Sequence, residues 1–411
     1  MHWLFVMATL TVAATARTQA LTLEEALKIG ETQSPRLAAQ RHALNAAEQQ
    51  TGRAGELPDP KLRLGIENLP VSGPDAWRTN SDSMTTRAIG LMQEFPGSGK
   101  RSARSARAAR ARDVERSMLY SQRATLRRDI ALAWLDAHFS ERSGVTVDRL
   151  VERLAAQADT ASAGVARGRQ SAADSFMLRS AVEQARDRLI DQERLIERAR
   201  YQLAALLGEE IRRPLGTPPD LDKLLHPRDL VARLEDHPEL RVLDQRQELA
   251  RADVELARAS KRSDWSLEVG YGYRAPAFDN MLTVMVAIDL PWQAKDRQDR
   301  DVASRLAELE QVRAQMEDSR RMHQADVRGW LADYDAATRR LERFRTLLIP
   351  LAGERTQAAL AAYRGGRGEL SAVLEAQRAI TETEIAALAV EAERAKAWAN
   401  LSFLYAHEEA K

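Results

Sequence analysis

The sequence predicts a mainly α-helical chain with a small β part, in which long coiled-coil hairpins carry four membrane strands. Three observations predict it. Two helical runs, 98–161 and 292–361, are nearly free of helix breakers: the first has no proline and, beyond Gly99 at its very start, only Gly144, and the second has only Pro350 as its proline. At about 1.5 Å per residue they span roughly 95–105 Å, beyond an ordinary globular helix. Four short segments alternate apolar with small or polar residues. Finally, this plan occurs twice along the 411 residues.

Composition agrees with long helices. Charged residues make up 29%, and 61 basic residues nearly balance 60 acidic ones. That balance suits helices with mixed-sign polar faces and argues against a nucleic-acid partner, which selects a basic excess. Aromatics are scarce at 5% and cysteine is absent. The absence removes disulfides, thiolate metal sites, cysteine nucleophiles and a lipidated cysteine together.

The chain opens on an apolar stretch, Trp3 to Ala14, followed by TARTQA with small residues at Thr18 and Ala20. This reads as a secretory signal, 1–20, although its first residues carry no Lys or Arg. The stretch is too short to span a bilayer, and no other segment approaches about 18 continuous apolar residues. Any entry into a membrane is therefore by strands.

The first repeat, 21–208, begins with a helix over 22–53 containing Pro35, and the second, 228–411, with a helix over 228–261 containing Pro238. Strand pairs follow at 61–69 with 83–95 and at 264–274 with 281–290. In the second pair Trp265, Leu267, Val269 and Tyr271 share a face, as do Leu282, Val284, Val286 and Ile288. These eight are the expected lipid face, because period two puts alternate side chains on one side. Nine to thirteen residues suits a tilted membrane strand, which needs about 9–11. Pro96 and Pro291 stop the strands before the long runs begin.

Each long run ends at a glycine-containing break, AGVARGRQSAADSF and AAYRGGRGELSAVL. A gapless alignment sets Val165 on Tyr363, Gly168 on Gly366 and Arg169 on Arg367. Glycine permits the tight turn between antiparallel helices. Return helices to Leu207 and to about Ala406 are half as long as the outgoing ones, so a short arm plus an opening helix matches one long arm. The proline-rich stretch 209–227 is the expected equatorial linker.

Four strands cannot close a barrel, and open sheet edges are not tolerated in lipid. Single-chain bacterial barrels use on the order of eight strands or more. A homotrimer supplies twelve strands, and its charged helices then have to extend into the periplasm.

On these residues the chain resembles the outer-membrane factor (TolC) family. The resemblance rests on the doubled plan, the strand ends FPGSGKR and LPWQAKDR, and the breaks GRQSAADS and YRGGRGELSAVLEAQR; it covers about 21–406. The segments PDPKLRLGIENLP and QEFPGSGKR bring it nearest to the heavy-metal efflux (CzcC/CusC-like) branch. The resemblance implies a 12-stranded barrel in the outer membrane of a Gram-negative cell, over a periplasmic α-helical tunnel. It also implies a tripartite system with a periplasmic adaptor (membrane fusion protein) and an inner-membrane RND pump.

Position by position, it implies that Asp174 is a gate aspartate bonding a tyrosine of the neighbouring coil, that Tyr363 is that tyrosine, and that Glu375 is one of two acidic rings at the aperture. The other ring position is Ala372. The expected adaptor-contact tips are Gly168, Arg169, Ser171, Gly366, Arg367 and Gly368. The plain alternative for the acidic pair is a solvated helix face, and for the glycines turn geometry alone.

The seven histidines include no pair at i, i+3 or i, i+4, so spacing gives no metal site. Met118, Trp134, Phe139, Met316, Trp330 and Tyr334 read as coiled-coil core. The run RSARSARAARAR at 101–112 reads as arginines paired with acidic neighbours or snorkelling. No catalytic constellation is present and no cofactor is expected. Within the same family, drug efflux and type I secretion remain alternatives to metal cargo. A pump adaptor is the alternative outside it, though it requires one hairpin inserted in a small β domain rather than two hairpins.

Overall fold

The computed structural model describes residues 20–166, 171–208, 213–223 and 232–404. The signal stretch up to Gln19, the tip residues Gly168 and Arg169, and 209–212 with 224–227 of the linker lie outside them.

The first half runs α1 (Leu23–Gln33), α2 (Pro35–Arg53), β1 (Lys61–Glu67), β2 (Thr86–Phe95), α3 (Lys100–Ala166) and α4 (Ala172–Leu207). The second runs α5 (Pro238–Ala259), β3 (Trp265–Tyr273), β4 (Met281–Ile288), α6 (Gln298–Arg343), a π turn (Phe344–Leu348), α7 (Ile349–Arg364) and α8 (Leu370–Ser402). The bounds of α3 and of the α6-to-α7 run are displaced by the same offset that sets Gly168 on Gly366.

Three details depart from the expected elements. The helix expected over 228–261 is, among the described residues, a 3-10 turn at Leu234–Asp236 followed by a helix that starts only at Pro238, behind the N-cap His237. The opening helix is broken at Ser34, because a residue before proline is pushed out of the α region: Ser34 has ψ 114°. The second long run contains the π turn directly ahead of Pro350, which brings no N–H to the helix ladder.

The chain divides into two compact units, each drawing on both halves. One comprises 36–122 and 234–324 and holds the sheet. Its strand order is β1-β2-β3-β4, antiparallel throughout. Below the sheet, Gln40 donates to Glu115 Oε2 at 2.7 Å, linking α2 to α3, and Arg107 pairs with Asp253 at 2.5 Å, linking α3 to α5. The arginine run is thus absorbed by carboxylates and a carbonyl: Arg112 meets Asp113 at 2.7 Å and Arg101 donates to the Gly55 carbonyl at 2.8 Å.

The other unit comprises the described parts of 1–35, 123–233 and 325–411. Its core centres on Trp134, fully buried beside Ile130, Leu135 and Leu203. The Trp134 indole donates to the Leu21 carbonyl at 3.1 Å. Leu21 itself forms a parallel bridge with Leu215, accepting from Gly216 N at 2.9 Å. The remainder of the described linker is held by side chains: Tyr334 donates to the Leu221 carbonyl at 2.7 Å, Trp398 to the Lys223 carbonyl at 3.1 Å, and Arg394 pairs with Asp222. Trp134, Phe139 and Trp398 are buried and Tyr334 is half-buried, so these aromatics act as packing and anchoring groups.

Candidate functional site

The sheet has two chemically opposite faces, fixed by register. Trp265, Leu267, Val269 and Tyr271 stand directly opposite Ile288, Val286, Val284 and Leu282. Across β2 the same face continues through Ile89 and Leu91, and into β1 through Leu64 and Leu62. All of these are exposed except Leu267, which is half-buried; Leu282 keeps 71% of its surface. An apolar face of this extent left open to solvent is rare in a soluble monomer and marks a contact surface.

The opposite face carries Gly90, Gly270, Thr283, Ser266 and Ala287, with charge supplied by Arg63 and Glu268, paired at 3.0 Å. Aromatic rings mark both ends of the apolar face. At one end Phe95 stacks on Trp265 with centroids 4.3 Å apart. At the other, Tyr271 accepts from Asn280 at 2.7 Å, and Arg87 lies over the Tyr273 ring.

The helix turns form the second candidate region. The α7–α8 turn is a Schellman motif: Arg367 N–H donates to the Ala362 carbonyl at 2.9 Å and Gly366 N–H to Tyr363 at 3.0 Å. The motif needs a left-handed residue, and Gly366 supplies it with φ +68°. Gly368 is required differently, since a Cβ there would come within 3.0 Å of Ala362 Cβ and 3.1 Å of the Tyr363 nitrogen. On the α3–α4 side, Ser171 caps α4 by accepting from Ala173 N–H at 3.1 Å, at the position aligned with the N-cap Glu369 of α8.

Packing beneath the turns comes from all four helices: Leu150, Leu154 and Ala161 of α3, Leu178 and Val182 of α4, Val373 of α8, and Leu360 of α7. Tyr363 is half-buried against this cluster. Asp174 sits in the first turn of α4, where a carboxylate is favoured by the helix dipole. Glu375 projects from α8 and pairs with Arg355 of α7 at 2.7 Å, with both side chains largely exposed.

No protein-family description matches the sequence, and no curated protein matches it. Solved structures do match the fold. CusC, a protein described for transmembrane channel formation, superposes with a TM-score of 0.79 at 16% identity, over 93% of this chain and 92% of that one. The CmeC outer-membrane channel of Campylobacter jejuni gives 0.78 at 11% identity, over 94% and 87%. The open MtrE outer-membrane channel of Neisseria gonorrhoeae gives 0.75 at 18%, over 93% and 88%.

This chain has the TolC-type fold. Its long helices and single four-stranded antiparallel sheet are those of the expected fold class. Among the described residues, no hydrogen bond joins Asp174 to Tyr363 within one chain. The Arg355 partner of Glu375 was missed by sequence reasoning. Its signal was weak: an Arg on the outgoing arm and a Glu on the return arm at similar distances from the turn.

Proposed function

We propose that this chain is one protomer of a homotrimeric exit duct in the outer membrane of a Gram-negative cell, the outer component of a tripartite efflux system. The sheet carries this reading. It presents an apolar face bounded by aromatic rings and a face of small and charged residues, the pattern of a membrane barrel wall. Among the described residues of one chain, the outer edges of β1 and β4 have no partner strand. Lipid forbids such edges, and a closed ring of three sheets removes them. No described helix is long and apolar enough to cross a membrane, so the helices belong to the aqueous side.

On this reading the face with Gly90, Gly270 and Thr283 lines the lumen. The turns at Ser171 and at Gly366 to Gly368 receive the hairpin of a periplasmic adaptor, itself joined to an inner-membrane RND pump. Asp174 and Tyr363 latch neighbouring copies, and Glu375 forms a carboxylate ring. The cargo on this reading is heavy-metal cations, and selection among cargoes lies mainly in the pump.

Detergent extraction from outer membranes followed by native mass measurement tests the duct. A trimer that resists heat in detergent is expected; a monomer released without detergent overturns the reading. In planar bilayers, Asp174→Ala and Tyr363→Phe each raise conductance of the resting channel; unchanged conductance removes the latch.

A further inference from the structure

One cluster of ligating side chains in the sheet-bearing unit belongs to neither candidate region. His237 is the N-cap of α5, Glu239 follows in its first turn, and His323 projects from α6. One ligand atom from each lies within 4.8 Å of the others. His323 Nε2 stands 3.1 Å from Glu239 Oε2, and the two imidazole rings face each other with centroids 3.8 Å apart, tilted by 31°. We propose that His237, Glu239 and His323 form a binding site for a divalent transition-metal cation that ties the start of α5 to α6.

The chemistry selects the class of ion. Two imidazole nitrogens and one carboxylate are the donors of zinc, nickel and copper sites, whereas magnesium and calcium take oxygen donors. Donor atoms around one zinc, each bonded at about 2.0–2.2 Å, stand roughly 3–3.5 Å apart. The present spacing therefore closes on an ion by side-chain rotation, without moving either helix.

Among the described residues, the neighbouring basic side chains are paired with other carboxylates. Arg320, on the same face of α6, is already paired with Glu235, and Arg241 pairs with Asp236 at 3.0 Å. His323 is the one partner recorded for the Glu239 carboxylate among the described residues. A metal there takes the place of the direct contact between His323 Nε2 and Glu239 Oε2. At His237 it competes with the cap, because Nδ1 accepts from Glu239 N–H at 3.3 Å and a neutral imidazole has a single lone pair to give. That bond is long and its loss is small beside three metal bonds. Three protein ligands leave a coordination position for water, so the site is reversible rather than sealed.

The full chain without an affinity tag, in detergent, is titrated calorimetrically with zinc chloride and with magnesium chloride. Zinc is expected to bind at about one per chain and to raise the thermal midpoint, with no magnesium response. His323→Gln removes one ligand. His237→Asn removes another and keeps an N-cap, since Asn is among the best caps. Each is expected to weaken zinc binding at least about tenfold and abolish the thermal shift. Equal zinc affinity in the doubly substituted chain, or magnesium binding as tight as zinc, overturns the site. The readout is independent of conductance and of assembly, so it stands or falls apart from the duct.

Discussion

Glu375, proposed above as a ring around the aperture, is coupled to a neighbour that changes what it can do. Glu375 alone in a threefold ring would attract cations, as like carboxylates around a lumen do. Its partner Arg355, at 2.7 Å, partly cancels that field. Arg355→Ala is thus expected to raise cation selectivity and Glu375→Gln to lower it, read as opposite shifts of reversal potential in a salt gradient. Thermal stability should change by less than about 1 kcal/mol, since the pair is exposed. Equal reversal potentials in both variants would exclude the ring.

His138 offers a pH test of the core. Burial, and then the charge of Arg142, hold its imidazole below the ordinary value of 6.5, against the opposing pull of Glu391 and a backbone bond at Gly216. It stacks on Trp134 with centroids 5.3 Å apart. The unfolded chain takes the proton first, so stability is full above pH 6.5, falls as pH drops past it, and stays lowered beneath the folded-state value. His138→Phe is expected to flatten the dependence of the thermal midpoint between about pH 7 and 5. A slope equal to wild type would show that other groups carry it. Sequence alone placed Asp174, Tyr363 and Glu375 at the turns. It could not find Arg355 as a partner, nor His237 beside His323, because those pairs are made by contact between elements rather than by spacing along one.

At the scale of elements, the strands start and stop within three residues of the alternating segments, because proline, glycine and asparagine bound them closely. The helix breaks were less legible. Pro35 was visible, but a proline is compatible with a helix start as well as a kink, and only the structure fixes Ser34 as extended. The π turn at Phe344–Leu348 leaves no compositional mark beyond Pro350. The turns, by contrast, follow from glycine placement. Gly366 holds φ +68° between two Schellman hydrogen bonds. Gly366→Ala costs about 1 kcal/mol in that conformation. Exchange of the Arg367 amide, bonded to the Ala362 carbonyl, should then quicken about fivefold if the turn opens locally. Unchanged exchange would mean that the packing beneath, Leu370 and Val373 among it, holds the turn without help from glycine.

For the whole molecule the decisive question is whether the sheet's exposed apolar face meets lipid or another protein surface. Val284 and Thr283 are adjacent on β4 and point to opposite faces: Val284 stands opposite Val269, and Thr283 opposite Gly270. A lysine at a lipid-facing midplane position costs about 2–4 kcal/mol, while lumen-facing substitutions are tolerated. Val284→Lys is therefore expected to sharply reduce the fraction recovered as heat-resistant trimer from outer membranes. Thr283→Lys should leave that fraction near wild type and alter ion selectivity instead. The two substitutions add the same charge one residue apart, so strand propensity and net charge cancel between them and face orientation is what remains. Equal loss in both would indicate a sheet buried on both sides, and equal tolerance a sheet that stays in water; either result removes the barrel and with it the need for threefold closure.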